Sequence, residues 1–134
     1  MLALLLSFAL LAPLPETQEQ QIHYASLYEG EQELFDLVNQ ERTSRGLVAL
    51  TKSQVRQEGA RRQALRQMNA HRMFHGSDYG RGENVAMGQR NPREVMRAWM
   101  NSSGHRANIL NPHHRHGGMA GFGSGTVYWC QQFE

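Results

Sequence analysis

HGSDYGRGENVAMGQRNPREVMRAWMNSSGH, residues 75–105, decides the fold, because it sets a glycine loop, a strand and a capped helix in direct succession. After His75, the glycines Gly76, Gly80 and Gly82 give the backbone the freedom of a tight loop, and NVAM after Glu83 predicts a short strand. Asn91, Pro92 and Glu94 then make a helix start: an N-cap, a proline at the first helical position and an acid at the third. Val95, Ala98 and Trp99 are the expected buried face of that helix. It should stop at NSSG, and a further helical turn should begin near His105, with Ser102 or Ser103 able to cap it. Such a helix can turn His105 back toward His75, so His75, Glu83 and His105 are expected to form one site.

Upstream, apolar Leu34, Phe35, Leu37 and Val38 recur at three and four spacing and predict a helix from Glu31 to Arg45. Acids near its start and arginines near its end complement the helix dipole, and Gly46 stands where a left-handed cap belongs. Leu47 and Leu50 anchor the next turn. Thr51 or Ser53 should then open a second helix reaching about Phe74, with Ala60, Ala64 and Met68 as its buried stripe and Arg56, Arg61, Arg62 and Arg66 on its other faces. Downstream, GMAGFG and TVYWCQQF predict an antiparallel hairpin in which Val127, Trp129, Gln131 and Phe133 share one face. The fold class is therefore α+β, an antiparallel sheet covered by helices on both faces.

The chain has 134 residues, enough for one core and too few for two. Its first fourteen residues, MLALLLSFALLAPL, have the composition of a secretory signal and are short for a membrane span, although no Lys or Arg precedes the apolar run. Residues 15–28, with their Gln and Glu, are expected to be a linker, and 29–134 the folded domain. An extracellular or cell-surface location follows from the signal-like segment. The single Cys130 excludes an internal disulfide and is expected to be a small buried hydrophobe. Charge is divided, with −7 over residues 1–41 and +9 over 42–134. The acidic first helix should therefore face the basic remainder, with peripheral contact with anionic surfaces as the functional counterpart. Nucleic-acid binding is not expected, because the basic helix lacks aromatic interleaving and any recognised motif. GRGEN lacks the context of a dinucleotide fingerprint.

Two imidazoles and a carboxylate suit a borderline divalent ion such as zinc, so His75 and His105 are candidate metal ligands and Glu83 a candidate third. Each could instead serve local backbone hydrogen bonds. Ser77, Ser102 and Ser103 are better explained as turn and cap residues than as nucleophiles. His113, His114 and His116 could chelate a metal adventitiously, but a solvated surface loop is the simpler expectation. His71 is expected to be an ordinary helix residue.

LFDLVNQERTSRGLVAL, MFHGS, GENVAMG, AWMNSSGHRANILNP and YWCQQF, in that order, closely resemble the CAP superfamily (cysteine-rich secretory proteins, antigen 5, pathogenesis-related class 1), in its bacterial SCP-like branch. The resemblance covers Glu31 to Phe133. It implies an α-β-α sandwich with a central antiparallel sheet and a surface cleft in which His75 matches the first cleft histidine, Glu83 the GEN glutamate and His105 the second histidine. Many members carry another glutamate three positions after the tryptophan. Here that cleft position is Ser102, which leaves the set one carboxylate short. The resemblance implies a secreted, non-catalytic module whose cleft holds a divalent cation and a lipid, peptide or cell-wall component. The alternatives are a metal-dependent hydrolase using His75, His105 and Glu83, and a structural or adhesive surface protein.

Overall fold

The computed structural model describes residues 18–123 and 125–134, so the signal-like segment lies outside the described residues. Helix α1, Gln18–Ser44, is followed by strand β1, Thr51–Lys52, and helix α2, Gln54–Ala70. Then come β2, Gly82–Met87; α3, Pro92–Met100; α4, Ser103–Ile109; β3, His116–Phe122; and β4, Tyr128–Phe133. The strands form one sheet in the order β1-β3-β4-β2. The β3-β4 and β4-β2 pairs are antiparallel, and the two-residue β1 joins β3 in parallel. Among the described residues no helix is long and apolar enough to cross a membrane.

Two helical layers cover the sheet, as the α-β-α sandwich requires. On one face Leu34, Val38, Val95, Trp99 and Ile109 of α1, α3 and α4 pack with Ala86, Met119, Trp129 and Phe133. On the other, Ala60 and Ala64 of α2 meet Val85, Ala120 and Cys130. Trp129 and Cys130 thus face opposite layers, as the period of two in a strand demands. The close α2 approach depends on a glycine: a Cβ on Gly118 would overlap the backbone of Arg56 and Gln57.

Four expectations are corrected. The first helix begins at Gln18 rather than Glu31, so residues 18–28 are helical; a Gln/Glu-rich run free of Gly and Pro is a good helix former even without an apolar face. The second helix ends at Ala70 because His71 takes the left-handed conformation, φ 51°, and its N–H caps the Gln67 and Met68 carbonyls. Ser53, one of the two expected openers, is its N-cap. The buried stripe of α2 is half polar, adding Arg56, Gln63 and Gln67 to the two alanines, while Met68 is only partly buried. In α3 it is Met96, not Ala98, that joins Val95 and Trp99 inside.

The glutamines on α2 do the work of a missing strand. Beyond the two residues of β1, the edge of β3 is open, and Gln57 closes it by accepting from Met119 N–H at 3.1 Å and donating to Met119 C=O at 2.7 Å. The divided charge is also used across the layers: Glu31 pairs with Arg61 at 2.6 Å and Glu33 with Arg93 at 3.0 Å, joining α1 to α2 and to α3.

Candidate functional site

Glu83 and Asn84 are neighbours on β2, so their side chains leave the strand on opposite faces. That alternation builds the site. Glu83 turns toward the α2 layer, where its Oε1 accepts from the Gly76 N–H at 2.8 Å and lies 2.9 Å from His75 Nδ1. Its Oε2 accepts from Gln132 Nε2 at 2.9 Å and from the Cys130 thiol at 3.5 Å. Asn84 turns toward α4, where its amide donates to the His105 carbonyl and to Gln131 Oε1, each at 3.0 Å, and its Oδ1 accepts from Asn108 at 2.9 Å.

The partners on β4 are set by register. Glu83 lies opposite Gln132 and Asn84 opposite Gln131, so two adjacent cross-strand polar pairs serve the two faces. All four side chains are buried. One strand thereby fastens both histidine-bearing segments, His75 from the α2 side and His105 from the α4 side. Gln63 and Gln67 tighten the first of these by donating to the Phe74 carbonyl at 2.6 Å and accepting from the Phe74 N–H at 3.2 Å.

Protonation states follow from this wiring. A carboxylate only accepts, so His75 Nδ1 donates to Glu83, from a ring whose side chain is 57 % exposed. The Tyr79 ring stands 6.3 Å from it. Burial, and then the charge of nearby His75, lower the pKa of His105, which favours its neutral form. Burial and the Glu83 charge push the Cys130 thiol well up, so it stays protonated and acts as a donor, not as a nucleophile.

The structure brings His75 and Glu83 into direct contact, while His105 is held through its backbone carbonyl by Asn84 and feels His75 electrostatically. Ser102 is the N-cap of α4, but its hydroxyl makes no capping hydrogen bond. Among the described residues, no serine hydroxyl bonds either imidazole, and no three His, Cys, Asp or Glu side chains converge as a metal-binding group. With both Glu83 oxygens occupied, a divalent cation would find two imidazoles, His75 through Nε2 and His105, and not a third protein ligand. Among the described residues that donor set does not fit a closed or three-ligand zinc centre.

Sequence reasoning passed over Asn84, Asn108, Gln131 and Gln132. Their signal was adjacency, since two polar pairs inside otherwise apolar strands need partners across the sheet. The histidine loop is also corrected. His114 is 1 % exposed, stacked on Phe133 with centroids 5.0 Å apart, while His113 and His116 remain at the surface. The three cannot act as one chelating cluster.

An α-β-α sandwich on a four-stranded sheet is the architecture of a CAP domain. The chain belongs to the cysteine-rich secretory protein family, whose model matches residues 35–133. It is 37 % identical over 119 residues to the uncharacterized protein YkwD of Bacillus subtilis strain 168, a match covering 77 % of this chain and 46 % of that protein. The chain therefore spans less than half the length of that relative. Its fold is similar to that of an SCP-domain extracellular protein of Bacillus anthracis, with a TM-score of 0.75 at 22 % identity, covering 89 % of this chain and 44 % of the other. It is also similar to an outer surface protein of Borrelia burgdorferi, with a TM-score of 0.70 at 16 % identity, covering 79 % and 92 %.

Proposed function

We propose that this chain is an extracellular CAP module that binds a ligand at the His75–His105 cleft without transforming it. The observation that carries this reading is the commitment of Glu83: its four hydrogen-bond partners hold His75 in place and leave no lone pair directed at a substrate. What remains for a ligand is two imidazoles at the surface of a rigid frame. Extracellular placement is supported by the relatives of like fold, one an extracellular protein and one an outer surface protein. The ligand is a lipid, peptide or cell-wall component with an oxygen donor. A divalent cation held by His75 Nε2 and His105 would supply a Lewis-acidic contact for that oxygen.

A second reading, hydrolysis, draws on the same pair, since an imidazole backed by a buried carboxylate is the arrangement of a general base. Zinc titration calorimetry on the parent and on His75→Ala with His105→Ala, beside hydrolysis of peptide and ester panels, separates the two. Zinc uptake that disappears in the double variant, with no turnover, is the expected outcome. Turnover abolished by Glu83→Gln would establish the hydrolase, and the absence of zinc uptake in both proteins would remove the cation and favour an adhesive surface role.

A further inference from the structure

The outer face of α2 is basic and apolar together, with two arginines against one acid. Val55, Arg62, Leu65, Arg66 and Asn69 fall within one arc of the helix opposite its buried residues. The chain then passes through Arg72 and Met73 to the cleft residue His75. Val55 is 59 % exposed and Leu65 41 % on this arc, and Met73, in the turn that follows the helix, is 48 % exposed. Among the described residues Arg62, Arg66 and Arg72 have no ion pair. The one acid on this arc, Glu58, accepts from Gln54. Arg66 and Arg72 instead both lean on the Phe74 ring, at 5.9 and 4.6 Å from its centroid. Two guanidiniums drawn to one ring raise the local positive potential beside the cleft.

We infer that this face, Val55, Arg62, Leu65, Arg66 and the Arg72–Met73–Phe74 turn, docks on an anionic lipid bilayer. Charge complementarity selects an anionic partner. The interspersed Leu65, Met73 and Val55 select a bilayer over a soluble polyanion, because apolar side chains gain from entering the boundary between headgroups and acyl chains and gain nothing from a hydrated polymer. The arginines would sit at headgroup level with their stems along the apolar layer. Docking this way brings the rim of the cleft to the lipid surface, since Phe74 directly precedes His75.

The test is co-sedimentation of the full chain with phosphatidylcholine vesicles containing about 30 mol % phosphatidylglycerol, where each arginine near the surface should contribute about fivefold. Arg62→Gln, Arg66→Gln and Arg72→Gln combined should weaken binding on the order of a hundredfold, and Leu65→Ser with Met73→Ser by about tenfold at unchanged charge. The charge-matched control Arg45→Gln, Arg90→Gln and Arg93→Gln, whose guanidiniums already pair with Glu41, Glu94 and Glu33, should bind like the parent. The apolar N-terminal run is common to every variant, so differences in binding come from the substituted residues, and circular dichroism confirms that each is folded. Equal binding by the parent and the arginine variant, or no binding by either, overturns the inference. So does an unchanged affinity of the Leu65, Met73 variant, which would mark a surface for soluble polyanions.

Discussion

His114 shows what a single residue can be asked to do once tertiary structure surrounds it. Its Nδ1 lies 3.1 Å from the Asn108 carbonyl and must donate there, its ring stacks on Phe133, and its buried Nε2 has no partner among the described residues. Burial lowers its pKa below the ordinary 6.5, and the charges of Arg42, Arg81 and His113 act in the same direction. The pKa of His105 is also lowered, first by burial. For both, the unfolded chain takes up protons before the folded one as pH falls. Their contribution to stability is therefore complete above the unfolded pKa of about 6.5 and declines as pH drops toward the lowered folded values. His114→Gln keeps a donor for Asn108 and removes the titration. The loss of stability between about pH 7.5 and pH 5, measured by urea midpoints, should be smaller in that variant than in the parent. An unchanged slope would show that His114 is not buried as described. None of this was legible in NPHHRHGG, where three imidazoles within four positions look like a solvated loop. The ring that covers His114 comes from Phe133, near the other end of the hairpin, and no local pattern announces a stack between residues on different elements.

At the scale of elements, the strand β2 does more than its six residues suggest, because it is the edge of the sheet. Its outward carbonyls are taken by side chains: Val85 accepts from Trp99 Nε1 at 3.2 Å, and Glu83 accepts from Asn108 Nδ2 at 3.2 Å. Carbonyls taken in this way are not offered to another chain. Asn84 links that edge to α4, holding the His105 carbonyl as well as Gln131 and Asn108. Asn84→Ala should remove those three hydrogen bonds from a buried place and cost about 2 to 4 kcal/mol, read by chemical unfolding. It should also release His105 while leaving His75 pinned by Glu83. The His105 ring proton resonances should then shift and broaden, while those of His75 stay in place. Loss of stability with both rings unmoved would show that Asn84 is a packing residue only. The helix around Trp99 and the strand after Glu83 were readable beforehand because caps, prolines and alternation are local signals. The glutamines of α2 and β4 were not, since an amide in a helix or strand looks like surface until the register that satisfies it is known.

Across the whole molecule, the helical layer containing α1 and α4 is tied together by one arginine. Arg42 is 0 % exposed and, among the described residues, has no acid as a partner. It donates through Nε to the Val48 carbonyl at 2.9 Å, and through its two terminal nitrogens to those of Ile109 at 2.8 Å, Asn111 at 2.9 Å and His114 at 3.1 Å. One side chain thus joins the end of α1, the turn that follows it, the C-terminal end of α4 and the segment entering β3. Sequence placed Arg42 correctly near a helix end, where its charge suits the dipole, but the dipole it also answers is that of α4, whose Ile109 carbonyl it caps. Burial, then the neighbouring Arg115, pull its pKa down from the arginine value, yet a guanidinium remains charged in a folded protein. The geometry needs the planar fork: an ammonium cannot reach four carbonyls set around one plane. Arg42→Lys should therefore cost about 2 to 3 kcal/mol. Arg42→Leu, which leaves all four carbonyls without this donor, should cost about 3 to 5, both read from urea unfolding. Because the partners are dipoles and the site excludes solvent, that loss should be nearly the same in low and high salt, whereas exposed pairs such as Arg90 with Glu94 weaken with ionic strength. Hydrogen exchange in Arg42→Lys should accelerate first at residues 109–116, ahead of the strands β2 and β4. Uniform acceleration across the sheet would mean that Arg42 supports global packing and does not join these four segments.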